Sequence, residues 1–182
     1  NAAPIKSALS KIAFGNVAGA TVTVKVPKDL CIVPGGEIDV PVMVENPQAL
    51  RALFLRLQDD PDELELVAGS SRCTGRTSGF SCGANEVSEG NRINLAVINT
   101  ADKVIAAGAG AVVTFRLRDK GVACAPGAPI TLGLSQLVVA DPENQPLPAA
   151  AENGSVMCGC TGPTQTATPV ETARATVTPT PS

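Results

Sequence analysis

From Thr21 onward the chain alternates apolar and polar residues with a period of two, the pattern of strands that bury one face. Thr21-Val-Thr-Val-Lys-Val26 is the first run and Glu37-Ile-Asp-Val-Pro-Val-Met-Val44 the second, with a turn at Val33-Pro-Gly-Gly36 between them. Similar runs follow at residues 52–57, 64–67, 92–98, 111–117, 130–134, 137–139 and 154–157. About nine strands are expected. No amphipathic helical stretch separates them, so the pattern predicts an all-β fold of two packed antiparallel sheets rather than a βαβ sheet.

The two ends read differently. In residues 1–20, Ile5, Leu9 and Ile12 fall at helical spacing, while Ile12, Phe14 and Val17 also fit an extended segment. This stretch reads as an arm ahead of the domain. Residues 161–182 are a Thr/Pro tract, which cannot build a core and favours extended polyproline II conformations. Its hydroxyls, Thr164, Thr166, Thr168, Thr172, Thr176, Thr178 and Thr180, suit O-glycosylation, and Asn153-Gly-Ser155 has the form of an N-glycosylation acceptor. The organisation expected is an arm over 1–20, a sandwich over 21–160 and a glycan-bearing tail over 161–182.

Composition sharpens this. The apolar residues are Val, Ala, Leu and Ile rather than aromatics, and Gly and Pro are abundant, as in short strands joined by turns. Six cysteines, Cys31, Cys73, Cys82, Cys124, Cys158 and Cys160, form an even set in a chain with no His, which favours disulfides over a zinc cluster. Cys73 and Cys82 flank a polar, Gly-rich stretch and are expected to pair, a bridge of about 2.5–3 kcal/mol on loop entropy. One residue between Cys158 and Cys160 is too little for an unstrained bridge, so Cys31 and Cys124 should each take one of them; which takes which stays open. Cysteine usage and a start at Asn1 suggest an exported protein, extracellular or on the cell surface, from which a leader has been removed.

A net charge of −3 with scattered Lys and Arg excludes the electrostatic signature of a nucleic-acid binder. No apolar run reaches the roughly 18 residues of a membrane span. Without His, Ser-His-Asp and Cys-His nucleophilic sites and most catalytic zinc sites are excluded, so no enzyme, no cofactor and no metal are expected. The acidic group Asp59, Asp60, Asp62, Glu63 and Glu65 offers oxygen ligands of the kind calcium takes. As Asp59-Asp-Pro-Asp it is more simply a turn, in which Asx side chains bond nearby amides. Asp141-Pro-Glu143 reads as another turn. Sugar-binding sandwiches present aromatic platforms, whereas this chain has four Phe and neither Trp nor Tyr. Phe54 and Phe115 lie in strand patterns and are expected in the core; Phe80 lies in the presumed disulfide loop, either as an exposed anchor or as loop packing.

The ordered motifs resemble the cohesin domains of bacterial scaffoldin-type proteins. The first strand, the Pro-Gly-Gly turn and Glu37-Ile-Asp-Val-Pro-Val are similar to that family's opening. Leu53-Phe-Leu-Arg-Leu-Gln-Asp-Asp-Pro61 followed by Leu64-Glu-Leu-Val67 resembles its strand, Asp-Pro turn and Leu-Glu-Val strand. Ala111-Val-Val-Thr-Phe-Arg-Leu, the acidic turn Val139-Ala-Asp-Pro-Glu-Asn-Gln-Pro-Leu and Asn153-Gly-Ser-Val resemble its later elements. The likeness covers roughly residues 20–158 and implies a nine-stranded jelly-roll sandwich; six cysteines and the arm depart from it. No dockerin-contact residue transfers with the motifs.

Two functions compete on this reading. The first is a non-catalytic structural subunit that self-assembles into a surface polymer or filament, its arm adding as a strand to a neighbouring sandwich while Ile12, Phe14 and Val17 fill a groove. The alternative is a cohesin-like receptor module that binds a dockerin-type partner protein through one sheet face, with the Thr/Pro tract as spacer.

Overall fold

The structure is a computed structural model that describes residues 21–60, 63–87, 92–100, 102–121, 127 and 129–159. Its first half holds β1 (Val22–Lys25), β2 (Leu30–Ile32), β3 (Glu37–Asn46), β4 (Ala52–Asp60), β5 (Leu64–Leu66) and β6 (Arg72–Cys73). After a single 3-10 turn at Gly75–Thr77 come β7 (Phe80–Val87), β8 (Arg92–Asn99), β9 (Gly108–Asp119), β10 (Pro129–Ala140), β11 (Ala149–Glu152) and β12 (Gly154–Cys158).

These strands form two sheets. Sheet A runs β11-β1-β3-β9-β5, with β6 also on β9, and sheet B runs β2-β12-β10-β4-β8-β7. The chain crosses between them repeatedly, giving an all-β sandwich of jelly-roll type. Its two ends close in parallel, β1 beside β11 and β2 beside β12, so the last strands are held by the first.

The alternation read from sequence is what fills the space between the sheets. Val40, Val42 and Val44 of β3 and Val113, Phe115 and Leu117 of β9 meet Leu53, Leu55 and Leu57 of β4 and Ile93, Leu95 and Val97 of β8, all at most 3% exposed. Runs 130–134 and 137–139 are one strand, β10, interrupted by a bulge between Ser135 and Val138 with Gln136 at φ 48°. The additional strands β2, β6, β7 and β11 are short or at sheet edges. In β7 the inward positions are Phe80, Cys82, Ala84 and Glu86, and after Phe80 they are too weakly apolar to show as an alternating run.

Turn chemistry follows the residues. Pro34 and Gly35 occupy the central positions of the β2–β3 turn, Gly35 at φ 69°, and the Gly36 amide donates to Val33 O at 2.8 Å. The buried Asp119 carboxylate locks this turn, accepting from the Gly35 amide at 2.7 Å and the Gly121 amide at 3.0 Å. Asp59, also buried, accepts from the amides of Glu63 (3.1 Å) and Leu64 (2.8 Å), the Asx-turn role expected of it. Asp141 accepts from the Gln145 amide at 2.7 Å in the turn that begins there.

Of the phenylalanines, Phe115 is fully buried and Phe80 packs half-buried against the core. Phe54 is not a core residue. It falls between Leu53 and Leu55, both buried, so the pleat turns its ring to the outer surface of sheet B. Phe14 lies outside the described residues. Among the described residues, no helix is long and apolar enough to cross a membrane.

Candidate docking face

A disulfide joins Cys73 of β6 to Cys82 of β7, the pairing expected from the flanking loop, and ties the edge of sheet B to sheet A. Within the loop that it closes, Arg76 reaches back into the sandwich. Its Nη1 donates to Val44 O (2.8 Å) and Gly110 O (3.2 Å), and its Nη2 to Asn46 Oδ1 (2.7 Å), Ala106 O (2.9 Å) and Gly108 O (3.1 Å). Burial lowers the pKa of this guanidinium. Gly110 needs to be glycine here twice over: its φ is 146°, and a Cβ on it would lie 3.1 Å from Arg76 Cδ. The disulfide loop is therefore a structural strut, not a recognition loop, and Phe80 is packing rather than an exposed anchor.

Cys31 and Cys158 are also disulfide-bonded. Cys31 is exposed on β2 and Cys158 is buried on β12, whereas Cys124 and Cys160 lie outside the described residues. So do the arm residues Ile12, Phe14 and Val17 and the tail residues Thr164, Thr166, Thr168, Thr172, Thr176, Thr178 and Thr180. Asn153 sits between β11 and β12, where its Oδ1 accepts from the Leu134 amide at 2.9 Å, and Ser155 Oγ accepts from the Asp29 amide at 2.9 Å. Both ends of the Asn153-Gly-Ser155 motif thus carry structural hydrogen bonds.

The outer surfaces of the two sheets differ in chemistry. On sheet A, Glu37 lies between Arg118 (2.6 Å) and Arg116 (3.1 Å), Asp39 pairs with Arg116 (3.1 Å), and Glu65 approaches Arg118 (3.5 Å). The hydrogen bond from Arg118 holds the Glu37 carboxyl below its ordinary pKa, with Arg116 adding to the effect and partial desolvation opposing it. Partnership with these carboxylates raises both arginines. The charges of Glu37, Asp39, Glu65, Arg116 and Arg118 are compensated among themselves, whereas Lys25, Glu45 and Arg72 of the same sheet enter no ion pair among the described residues. At its far end an open groove of about 590 Å³ is lined by Thr21, Thr23, Glu45, Asn46, Pro47 and residues 107–109, with Glu45 its single ionisable side chain.

Sheet B presents four ranks of residues across β10, β4, β8 and β7. Ala140, Ala52, Ile98 and Ser81 lie abreast, followed by Val138, Phe54, Ala96 and Gly83, then Ser135, Arg56, Asn94 and Asn85, then Gly133, Gln58, Arg92 and Val87. The first two ranks are apolar except for Ser81 at the edge, and the last two are mostly polar. Small residues form the floor of the apolar half, so Phe54, Ile98 and Val138 stand proud of it. Ile98 is 53% and Val138 46% exposed, two of the four large apolar side chains left in solvent among the described residues. A sheet face with an exposed apolar half and a polar half has the surface chemistry of a docking site for another protein.

No family model matches the sequence, and no curated protein matches it. Solved structures do. A non-cellulosomal cohesin from the archaeon Archaeoglobus fulgidus is similar at 21% identity over 76% of this chain and 91% of that one, with a TM-score of 0.61. The OlpC cohesin of a type I cohesin–dockerin complex from Clostridium thermocellum is similar at 13% identity, covering 80% and 98%, with a TM-score of 0.64. The sixth cohesin of Acetivibrio cellulolyticus scaffoldin B, solved with a Cel5 dockerin, gives 16%, 76% and 99%, and 0.63. At these identities what is shared is the architecture, a two-sheet jelly-roll sandwich. The fold of this chain is cohesin-like, as its motifs imply.

Proposed function

We propose that this chain is a non-catalytic, extracellular protein-binding module whose outer sheet B surface docks a dockerin-type partner. The observation that carries the reading is the exposure of Ile98 and Val138 beside Phe54 on the face formed by β10, β4, β8 and β7. Apolar side chains of this size on a monomer's surface cost solubility unless they are used. Similar folds solved with dockerins supply the class of partner. The filament reading has no comparable support: it rests on Ile12, Phe14 and Val17, outside the described residues, and the similar solved structures are cohesins. In the module reading, residues 161–182 serve as a glycosylated spacer that carries the domain away from whatever it is attached to.

The test is titration of the full chain with a panel of dockerin modules by isothermal calorimetry, beside the double variant Ile98→Asp, Val138→Asp. Binding at one-to-one stoichiometry that the double variant abolishes, with its thermal unfolding unchanged, supports the reading. Binding that survives the double variant places the site elsewhere.

A further inference from the structure

We propose that the partner of this face is acidic: an amphipathic helical surface whose apolar stripe covers Phe54, Ile98 and Val138 while carboxylates beside the stripe meet Arg56 and Arg92. This rests on the docking reading above and adds the chemistry that selects the partner.

The ground is a contrast between Arg116 and Arg118, neutralised where they stand on sheet A, and the two arginines of the sheet B face. Arg116 and Arg118 of sheet A find carboxylates on their own surface, at 2.6 to 3.5 Å, while Arg72 at the β6 edge has no ion pair among the described residues. Arg56 and Arg92, on sheet B, enter none among the described residues. Arg56 is held in place by a neutral neighbour, its Nε donating to Asn94 Oδ1 at 3.0 Å. That leaves the two terminal nitrogens of a planar donor fork for a partner's carboxylate. Arg92 lies one strand over and one rank further on, beside Gln58. Within β10, β4, β8 and β7, the one acidic residue among those described whose backbone register falls on this surface is Asp60, a rank beyond Gln58 and opposite Thr131 at the margin. Between the apolar half and that margin the described ionisable side chains are both cationic.

An approaching helix would desolvate Arg56 at the border of the apolar ranks. A buried guanidinium without a counter-charge is costly, so a partner lacking a carboxylate there is rejected and one carrying it is selected. The same cations would speed encounter with an acidic surface and make it sensitive to salt.

The experiment is selection from a displayed library of dockerin modules whose exposed helical positions vary between Asp or Glu, Ser, and Lys or Arg. The bait is the full chain, beside Arg56→Glu, Arg92→Glu and beside Ile98→Asp, Val138→Asp. On the native chain acidic modules should be enriched, and their affinity should fall about tenfold or more on the arginine reversal, which should enrich basic modules instead. The milder Arg56→Gln, Arg92→Gln chain should show an intermediate loss, and salt should weaken binding to the native chain more than to it. Enrichment of neutral or basic modules on the native chain overturns the inference. So does binding that the arginine reversal leaves unchanged while the Ile98, Val138 variant destroys it, an outcome in which the docking face stands and its acidic preference falls. A library that yields no binder, or binders indifferent to both sets of changes, overturns the docking reading together with the inference. Self-association of the native chain in sedimentation, lost in the Ile98, Val138 variant, would make a second copy the occupant and overturn it as well.

Discussion

Phe54 and Val138 face each other across β4 and β10 on the outer surface of sheet B, one strand register away from the buried pair Leu53 and Val139. The ring is held by a neighbour that is itself 46% exposed, so it contributes to the surface rather than to the core. Phe54→Ala should therefore cost about 1 kcal/mol or less, the scale of a cross-strand pair. Phe115→Ala, at a fully buried site, should cost about 3–5 kcal/mol. Urea unfolding of the two variants checks this, and equal losses would place Phe54 in the core.

The Cys73–Cys82 bridge closes a short loop and couples the edge of sheet B to sheet A. Replacing both cysteines by Ser should lower stability by about 2–3 kcal/mol without changing the far-UV circular dichroism spectrum of the folded protein. A neutral result would mean that the edges are held by their other contacts alone.

Arg76 satisfies four backbone carbonyls and Asn46 Oδ1 from one guanidinium. Arg76→Met leaves several of those acceptors without their donor and should cost about 2–3 kcal/mol. Arg76→Lys should recover little of it, because an ammonium is a point donor and cannot span the fork. Full rescue by Lys in a thermal melt would show that charge, not geometry, is what matters at this position.

Arg118 and Arg116 hold the Glu37 carboxyl below its ordinary pKa in the folded chain. A depressed folded pKa stabilises above the unfolded value, and that contribution is lost as pH falls through the carboxylate range. Melting temperature of the native chain should accordingly fall more steeply on acidification than that of Glu37→Gln. At neutral pH the difference should be small, because the network is exposed. Parallel acid profiles for the two proteins would contradict it.

Cys31 is exposed on β2 while Cys158 is buried on β12, and Met157, not Cys158, is the register partner of Cys31. Alternate parity puts the two sulfurs on opposite faces of sheet B. The Gly127 amide donates to Cys158 O at 2.9 Å, and the Gly159 amide donates to Ile32 O at 2.9 Å. Gly127 is thereby joined to Cys158 and Gly159 to β2. Peptide mapping without reduction should recover Cys124 with Cys158 and Cys31 with Cys160; a peptide joining Cys31 to Cys124 would refute the assignment.

Much of the sandwich was legible because its strands alternate. β3, β4, β8 and β9 appear in the sequence as period-two runs, and Asp59 and Asp141 as turn residues, since these depend on local chemistry. β7 was not legible. After Phe80 its inward positions are a half-cystine, an Ala and a Glu, and it becomes a strand because β8 offers it a ladder over eight residues. The docking face was half legible: the parity of Leu53, Leu55 and Leu57 already assigns Phe54 and Arg56 to the opposite face, but an aromatic in an apolar run reads as core until that parity is applied.

The sequence by itself determined that the chain is an all-β sandwich of cohesin-like pattern, without histidine chemistry, with Cys73 poised to meet Cys82. These follow from period, composition and short loops. Tertiary structure alone decided which exposed residues are neighbours. Val138 reaches Phe54 from 84 positions away through the β4–β10 register, and the compensation of Arg116 and Arg118 against the isolation of Arg56 and Arg92 is a property of which strands lie side by side. Local pattern cannot carry that information, because two surfaces of equal composition differ only in which charges the sheet order sets within reach of each other.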